Sequence, residues 1–411
     1  MEIFVYADWQ GLERPTFVGI LSIVHTKGHQ VVSFEYDKEW IRAELAQSLD
    51  PDLQFFGGPQ YLGKEKNNFG LFMDSSPDRW GRTLMDRREA ILAREEGRKP
   101  RKLFEEDYLL GVYDAHRMGG LRFKVHGNDN FQHEAKGLAA PPWTSIRELE
   151  EASLALEKDM MFEGQALKWI NMLIAPGASL GGARPKASVL DEKGHLWIAK
   201  FPSIKDTHNV GAWEMVANGL ALKSGITIAE GMVRQYNSEY NTYLSKRFDR
   251  NARGERLHFA SAMTLLGQTD GATGVSYLDI AGFIMRQGSS PDKDLEQLWR
   301  RIVFNIGVRN VDDHLRNHGF LLTDAGWKLS PAYDINPVYY GTGLSLNISE
   351  TDNSLDFDTA RGVAKYFRVT DAKATLIIED TLKVIRQWPK LAGKYGISTK
   401  EQELMSSAFE R

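Results

Sequence analysis

The apolar residues of this chain follow two different rhythms, and the change from one to the other limits what it can fold into. Near the N-terminus Ile3–Ala7 alternates apolar and polar residues, Thr16–His25 is a β-branched run and Val31–Tyr36 alternates again, as half-buried strands do. Short polar or Gly-containing stretches, Asp8–Gly11 and Lys27–Gln30, separate them in the manner of hairpins. Strand patterns return at Lys186–Leu190 and Leu196–Phe201, joined by the turn Asp191–His195, and again near Ile226–Ala229 and Tyr243–Arg247. One helical stretch, Ala212–Leu222, lies among them. After residue 255 the rhythm is mostly helical, most clearly in Leu295–Val308, where Leu298, Ile302, Val303 and Ile306 keep helical spacing. Strands in one part and helices in another predict an α+β fold.

At 411 residues the chain is longer than the ~250–300 residues that one core supports, so two or more domains are expected. Gly127–Ser145, polar and then Ala- and Pro-containing, is the candidate linker. Divisions near residues 140 and 250 give three regions. Further helices are expected at Lys38–Ala46, at Pro77–Arg94 with Trp80, Leu84, Ile91 and Leu92 near one face, and at Gln165–Ile174. Ser145-Ile146-Arg147-Glu148 has the form of a capping box opening a helix to Lys158. The basic run Arg98-Lys99-Pro100-Arg101-Lys102 is either a solvated loop or a phosphate-contacting patch.

A formal charge of −4 offers no global case for nucleic-acid binding. The absence of cysteine removes disulfides, zinc–cysteine sites, iron–sulfur clusters and thiol nucleophiles together. The alternating Met1–Asp8 segment lacks the form of a signal peptide, and no apolar run approaches the ~18 residues that cross a bilayer. A cytoplasmic protein without a membrane partner is expected.

The residues richest in chemistry follow the Leu295–Val308 helix. Val308-Arg309-Asn310-Val311-Asp312-Asp313-His314-Leu315-Arg316-Asn317-His318-Gly319 reads as a loop, then comes a β-hairpin, then Pro331-Ala332-Tyr333-Asp334-Ile335. An aspartate, an asparagine five residues on, a hairpin and a second aspartate is the order of a kinase catalytic loop and its metal-binding aspartate. Phosphoryl transfer needs a carboxylate beside the attacking hydroxyl and oxygen ligands for Mg²⁺. Asp312 would be the base, with Asn317 and Asp334 holding the metal. The spacing to Asn317 selects Asp312 over Asp313. His314 either orders the loop through a hydrogen bond or contacts nucleotide.

Upstream, Pro176-Gly177-Ala178-Ser179-Leu180-Gly181-Gly182-Ala183-Arg184-Pro185-Lys186 leads into a strand. Adjacent glycines let backbone N–H groups approach phosphate oxygens, and they also make plain hairpins. This is no Walker A loop, since Gly-Lys-Ser/Thr is missing and a strand follows in place of a helix. Lys200, in Ile198-Ala199-Lys200-Phe201-Pro202, is placed like the strand lysine of kinases that contacts phosphates, or is an exposed strand lysine. Glu214 on the following helix is its candidate partner. Leu244-Ser245-Lys246-Arg247-Phe248-Asp249-Arg250 stands where a kinase has its adenine-contacting hinge.

Taken together, Ser179 to Lys186, Ala199-Lys200-Phe201-Pro202, Lys246-Arg247-Phe248-Asp249-Arg250, Asn310 to Asn317 and Tyr333-Asp334-Ile335 resemble the HipA family; Ser76-Pro77-Asp78-Arg79-Trp80-Gly81 and Val112 to Leu121 also fit. The resemblance implies a bilobal protein kinase-like fold with a small N-terminal subdomain over residues 1–140. It implies ATP- and Mg²⁺-dependent Ser/Thr phosphorylation, typically of an aminoacyl-tRNA synthetase, with growth arrest as the result. It also implies a HipB-like antitoxin that binds operator DNA, so that DNA is reached through the partner. Carried over by position, Gly181, Gly182, Ala183, Arg184 and Lys186 would form the phosphate-binding loop, Lys200 would contact phosphates, and Lys246, Arg247 and Phe248 would be the hinge. His314 and Tyr333 would lie at the nucleotide, and Ser179 would be the autophosphorylation site. The chain departs from the family in carrying Lys246 where a well-known member has an acidic residue, and Asp312-Asp313-His314 in place of Asp-Gly-His. Two rivals share the same residues: a small-molecule phosphotransferase, and a catalytically silent co-repressor bound to an antitoxin–DNA complex.

Overall fold

The computed structural model describes residues 1–26, 29–43, 48–63, 65–132, 141–158, 166–174 and 184–410. The chain forms two compact units, and it passes between them more than once: Met1–Ile204 with Arg247–Ala260, and Lys205–Lys246 with Ser261–Arg411. Helices and antiparallel strands are mixed throughout, which is the α+β class expected from the apolar rhythm.

The first unit begins with a five-stranded sheet. β1 (Glu2–Ala7), β2 (Thr16–Thr26), β3 (His29–Tyr36), β4 (Gln60–Tyr61) and β5 (Leu121–Val125) are ordered β4-β3-β2-β1-β5. The alternation of β1 has the expected effect, since Ile3, Val5 and Ala7 are fully buried on one face. β5 was not expected from the sequence; it closes the edge in antiparallel register, with Val5 opposite Phe123. The helix α1 (Arg79–Glu95) starts where Asp78 accepts a hydrogen bond from the Gly81 N–H (2.9 Å). α2 (Ile146–Glu157) corrects one expectation. The chain is already turning at Trp143–Ser145, so Ser145 has helical dihedrals and its hydroxyl makes no cap. After α3 (Ala166–Ile174), β6 (Lys186–Leu190) and β7 (Leu196–Lys200) form an antiparallel hairpin.

In the second unit α4 (Val210–Lys223) is followed by the hairpin of β8 (Gly231–Gln235) and β9 (Asn241–Lys246). The strand expected at Ile226–Ala229 is instead a single parallel bridge of Ile228 to Ala332, closed by Ala229 N–H to Ala332 O (2.9 Å) and Ala332 N–H to Thr227 O (2.8 Å). α5 (Tyr277–Gln287), α6 (Pro291–Val308), the hairpin of β10 (Gly319–Thr323) and β11 (Gly326–Leu329), and α7 (Asp371–Ile385) follow. Pro291 stands in the first turn of α6, where its missing N–H costs nothing. The core joins Trp213, Val216 and Leu220 of α4 to Phe304 and Val308 of α6, Ile385 of α7 and the C-terminal Phe409. The C-terminal end of α6 is thereby held firmly.

Close packing at Gly211 gives a test of this unit. A Cβ there would lie 2.2 Å from the Asn241 carbonyl oxygen, whereas one at Gly362 meets nothing within 4 Å. Gly211→Ala is expected to destabilise by about 1–3 kcal/mol through overpacking. Gly362→Ala should gain ~0.5–1 kcal/mol by removing helical glycine entropy. Thermal unfolding of the two variants beside the wild type measures both.

Candidate active site

Helix α6 stops because Arg309 takes a left-handed conformation (φ 52°). The chain then turns into the segment Asn310–His318, which is organised around a buried carboxylate. Asp313 is 4 % exposed. Its Oδ2 accepts hydrogen bonds from Tyr277 Oη, Asn305 Nδ2 (2.8 Å) and His318 Nε2 (2.9 Å). Burial works to raise the Asp313 pKa, but the charge and hydrogen bond of His318 and the bond from Tyr277 outweigh it and hold the carboxyl below its ordinary range.

With Asp313 turned inward, its neighbour Asp312 is left exposed. Partial desolvation raises the Asp312 pKa, opposed by His314 and reinforced by the carboxylates of Asp334 and Asp313. Asn317 is 4 % exposed, and its Nδ2 donates to the Asp312 backbone carbonyl (3.1 Å). The Asn317 Oδ1 is buried and accepts no hydrogen bond among the described residues. A buried amide oxygen without a donor is costly, and this one is what a hard cation would coordinate.

Asp334 reaches the same place from the other side of the β10–β11 hairpin. It has a left-handed backbone (φ 58°), and the Ile228–Ala332 bridge fixes the chain two residues before it. Asn336 Nδ2 donates to Asp334 Oδ1 (3.0 Å). Tyr333 sends its hydroxyl to the Arg316 carbonyl (2.6 Å), so it ties this segment to the loop. His314 is half-buried with its Nδ1 enclosed and making no hydrogen bond among the described residues. Asp312, Asn317 and Asp334 therefore gather in the second unit. Among the described residues no three His, Cys, Asp or Glu side chains form a metal cage. One carboxylate and one amide oxygen, from Asp334 and Asn317, are the sparse protein share that Mg²⁺ takes beside substrate phosphates.

The remaining site candidates divide between the units. In the first, Ser179, Gly181, Gly182 and Ala183 lie outside the described residues, and Arg184 is half-buried just ahead of β6. Lys186 and Lys200 are directly opposed across the β6–β7 hairpin, a like-charge pairing that needs compensation. Asp78 supplies it to Lys186: Nζ and Oδ2 are 2.6 Å apart, both side chains are buried, and Trp80 Nε1 donates to the Lys186 carbonyl (3.2 Å). Burial raises the Asp78 pKa, and the Lys186 charge acts against it.

Arg247 is also committed within the first unit. Its guanidinium is buried on Asp249, with further bonds to the His116 and Arg117 carbonyls, while the Phe248 ring is tilted 52° against that of Phe259, 6.0 Å away. Lys200 belongs to the first unit, and Glu214 and Lys246 to the second. There Glu214 is buried, and Lys246 Nζ lies 3.4 Å from Glu230 Oε2. In the basic run at 98–102, two of the four cations are ion-paired within the first unit, Arg98 with Glu89 and Glu96 and Arg101 with Asp107.

Sequence reasoning gave no role to Asn310 or His318 within the loop it singled out, and did not find Tyr277, Asn305, Asn336 or the partnership of Asp78. Asp78 had a signal, since it sits in the Ser76–Gly81 motif. Asp313→Ala would strip three buried donors of their acceptor and is expected to cost about 3–5 kcal/mol. Because the folded Asp313 pKa is depressed, its contribution is complete above the unfolded carboxylate pKa and is lost as pH falls through the folded value. Denaturant titrations between neutral and acid pH should show the variant's stability deficit shrinking toward low pH.

A model of the HipA-like C-terminal domain family matches residues 178–388. Among solved structures, the chain is similar to HipA of Shewanella oneidensis MR-1, determined with HipB and its operator DNA. The TM-score is 0.65 at 17 % identity, over 95 % of this chain and 92 % of that one. The likeness shows a common fold, the kinase-like α+β fold. A curated relative from Haemophilus influenzae, named "Putative kinase", is 25 % identical over 183 residues, 39 % of this chain and 53 % of that protein. The chain therefore spans about half the length of that relative.

Proposed function

This chain belongs to the HipA family, and from that premise we propose that it is an ATP- and Mg²⁺-dependent serine/threonine protein kinase acting as a growth-arresting toxin. The observation that carries the reading is Asn317, whose amide nitrogen is pinned by the Asp312 carbonyl while its buried oxygen waits for a cation. Asn317 Oδ1 and the Asp334 carboxylate would hold Mg²⁺, which supplies charge neutralisation on the transferring phosphoryl group. Asp312, exposed and next to that pair, accepts the proton of the attacking hydroxyl. Lys200 and residues 181–184 would contact the phosphates, and the backbone of Lys246–Phe248 the adenine. In this reading Lys186, Arg247 and Tyr333 shape the site through their protein contacts, and His314 borders the nucleotide. A translation protein such as an aminoacyl-tRNA synthetase is the proposed target. A HipB-like antitoxin is the proposed partner, through which DNA contact is indirect. Autophosphorylation at Ser179 would add about −1.5 to −2 charge beside ATP phosphates and silence the enzyme.

The test is purified protein with labelled ATP and Mg²⁺, with and without synthetases. Label should enter Ser179 or a synthetase and vanish in Asp334→Ala. Asp312→Ala should slow transfer by about 10²–10⁴-fold without changing the melting temperature much. Since Asp312 works ionised and its pKa is raised, the acid limb of kcat/KM should fall above the ordinary ~3.9. Labelling of small alcohols but no protein would point to a small-molecule phosphotransferase. ATP binding without turnover would point to a silent co-repressor.

A further inference from the structure

Two loops must keep a fixed geometry in this site, and a line of amides joins them. Asn305 Nδ2 donates to Asp313 Oδ2 (2.8 Å), Asn310 Nδ2 donates to Asn305 Oδ1 (3.1 Å), and the Asn336 backbone N–H donates to Asn310 Oδ1 (3.3 Å). Asn336 Nδ2 then donates to Asp334 Oδ1 (3.0 Å). Asn305 and Asn310 are 2 % and 1 % exposed. A backbone bond from Val338 N–H to the Arg309 carbonyl (3.3 Å) runs beside the line.

From Asn336 to Asp313 the line has one polarity, and Asn336 is its source, donating through its backbone N–H to Asn310 and through Nδ2 to Asp334. A backbone N–H can only donate, so the Asn336 end makes Asn310 Oδ1 an acceptor and turns Asn310 Nδ2 toward Asn305. An ionised carboxylate can only accept, so the Asp313 end turns Asn305 Nδ2 toward itself and its Oδ1 toward Asn310. Both ends thus demand the same amide orientations. Left-handed, non-glycine residues at Arg309 and Asp334 flank the line, and such backbones persist only where their surroundings over-determine them.

We propose that Asn305, Asn310 and Asn336 form a directional amide relay that positions Asp334 against the Asp312–Asn317 loop, with Asn310 as its central positioning residue. This rests on the kinase reading for its consequence, since the relay would set metal affinity, but its geometry stands apart from that reading. Asn310→Asp is the sharp variant, because it keeps size while placing one acceptor against another at Asn305 Oδ1; Asn336→Ala is the milder one.

The experiment measures Mn²⁺ affinity in the presence of a non-hydrolysable ATP analogue, and hydrogen–deuterium exchange of the full chain. Each single variant is expected to weaken Mn²⁺ by about 10–100-fold. The double variant should lose no more than the worse single, as residues acting in series do. Exchange should quicken over residues 333–338 in Asn310→Asp while the Pro291–Val308 helix stays protected. Unchanged exchange at 333–338, wild-type Mn²⁺ affinity in Asn310→Asp, or losses that multiply in the double variant would each overturn the relay. If the wild-type protein binds no Mn²⁺ with the analogue, the kinase reading fails, and the relay is then decided by the exchange data alone.

Discussion

One carboxylate oxygen orders the second unit. Asp313 Oδ2 gathers a hydroxyl from α5, an amide from α6 and an imidazole from the residue just before β10. An ion removed from water must be repaid by such donors, because burying it unpaired costs several kcal/mol. The three elements are therefore held to one arrangement by a group that reacts with nothing. Its exposed neighbour, Asp312, takes its position from that buried group and from the Asn317 bond to its backbone carbonyl. Under the proposed reading, a base beside a structural carboxylate keeps its lone pairs for chemistry.

The same division explains what could be read from the sequence and what could not. The Asp312–Asn317 spacing, the hairpin and Asp334 are local, and local spacing survives in a linear chain. β1, β2 and β3 of the first sheet, the β6–β7 hairpin and α6 were legible for the same reason. Asp313 was not, because its meaning lies in Tyr277, 36 residues away. Lys186 was read with the glycine loop, but its ammonium lies on Asp78, 108 residues distant. Ile226–Ala229 has the composition of a strand, yet it has one residue's worth of partner in Ala332.

Charge in the first unit follows the burial rule too. Asp249 accepts from Arg247, Arg250 and the Gly119 N–H, and these cations hold its pKa far below the ordinary range despite complete burial. Arg247, which its place in the motif assigns to the hinge, has its guanidinium paired with Asp249.

The seat of Asp249 also has a consequence in time. Gly119 and Asp249 are separated by 130 residues. A ribosome adding ~5–20 residues each second needs roughly 7 to 26 s to cover that distance. Through that interval the newly made N-terminal portion carries a socket of backbone donors and acceptors with no ion to fill it. The first unit thus cannot close in order of synthesis. Its completion waits on a short segment, Arg247–Ala260, delivered after the chain has already begun the second unit.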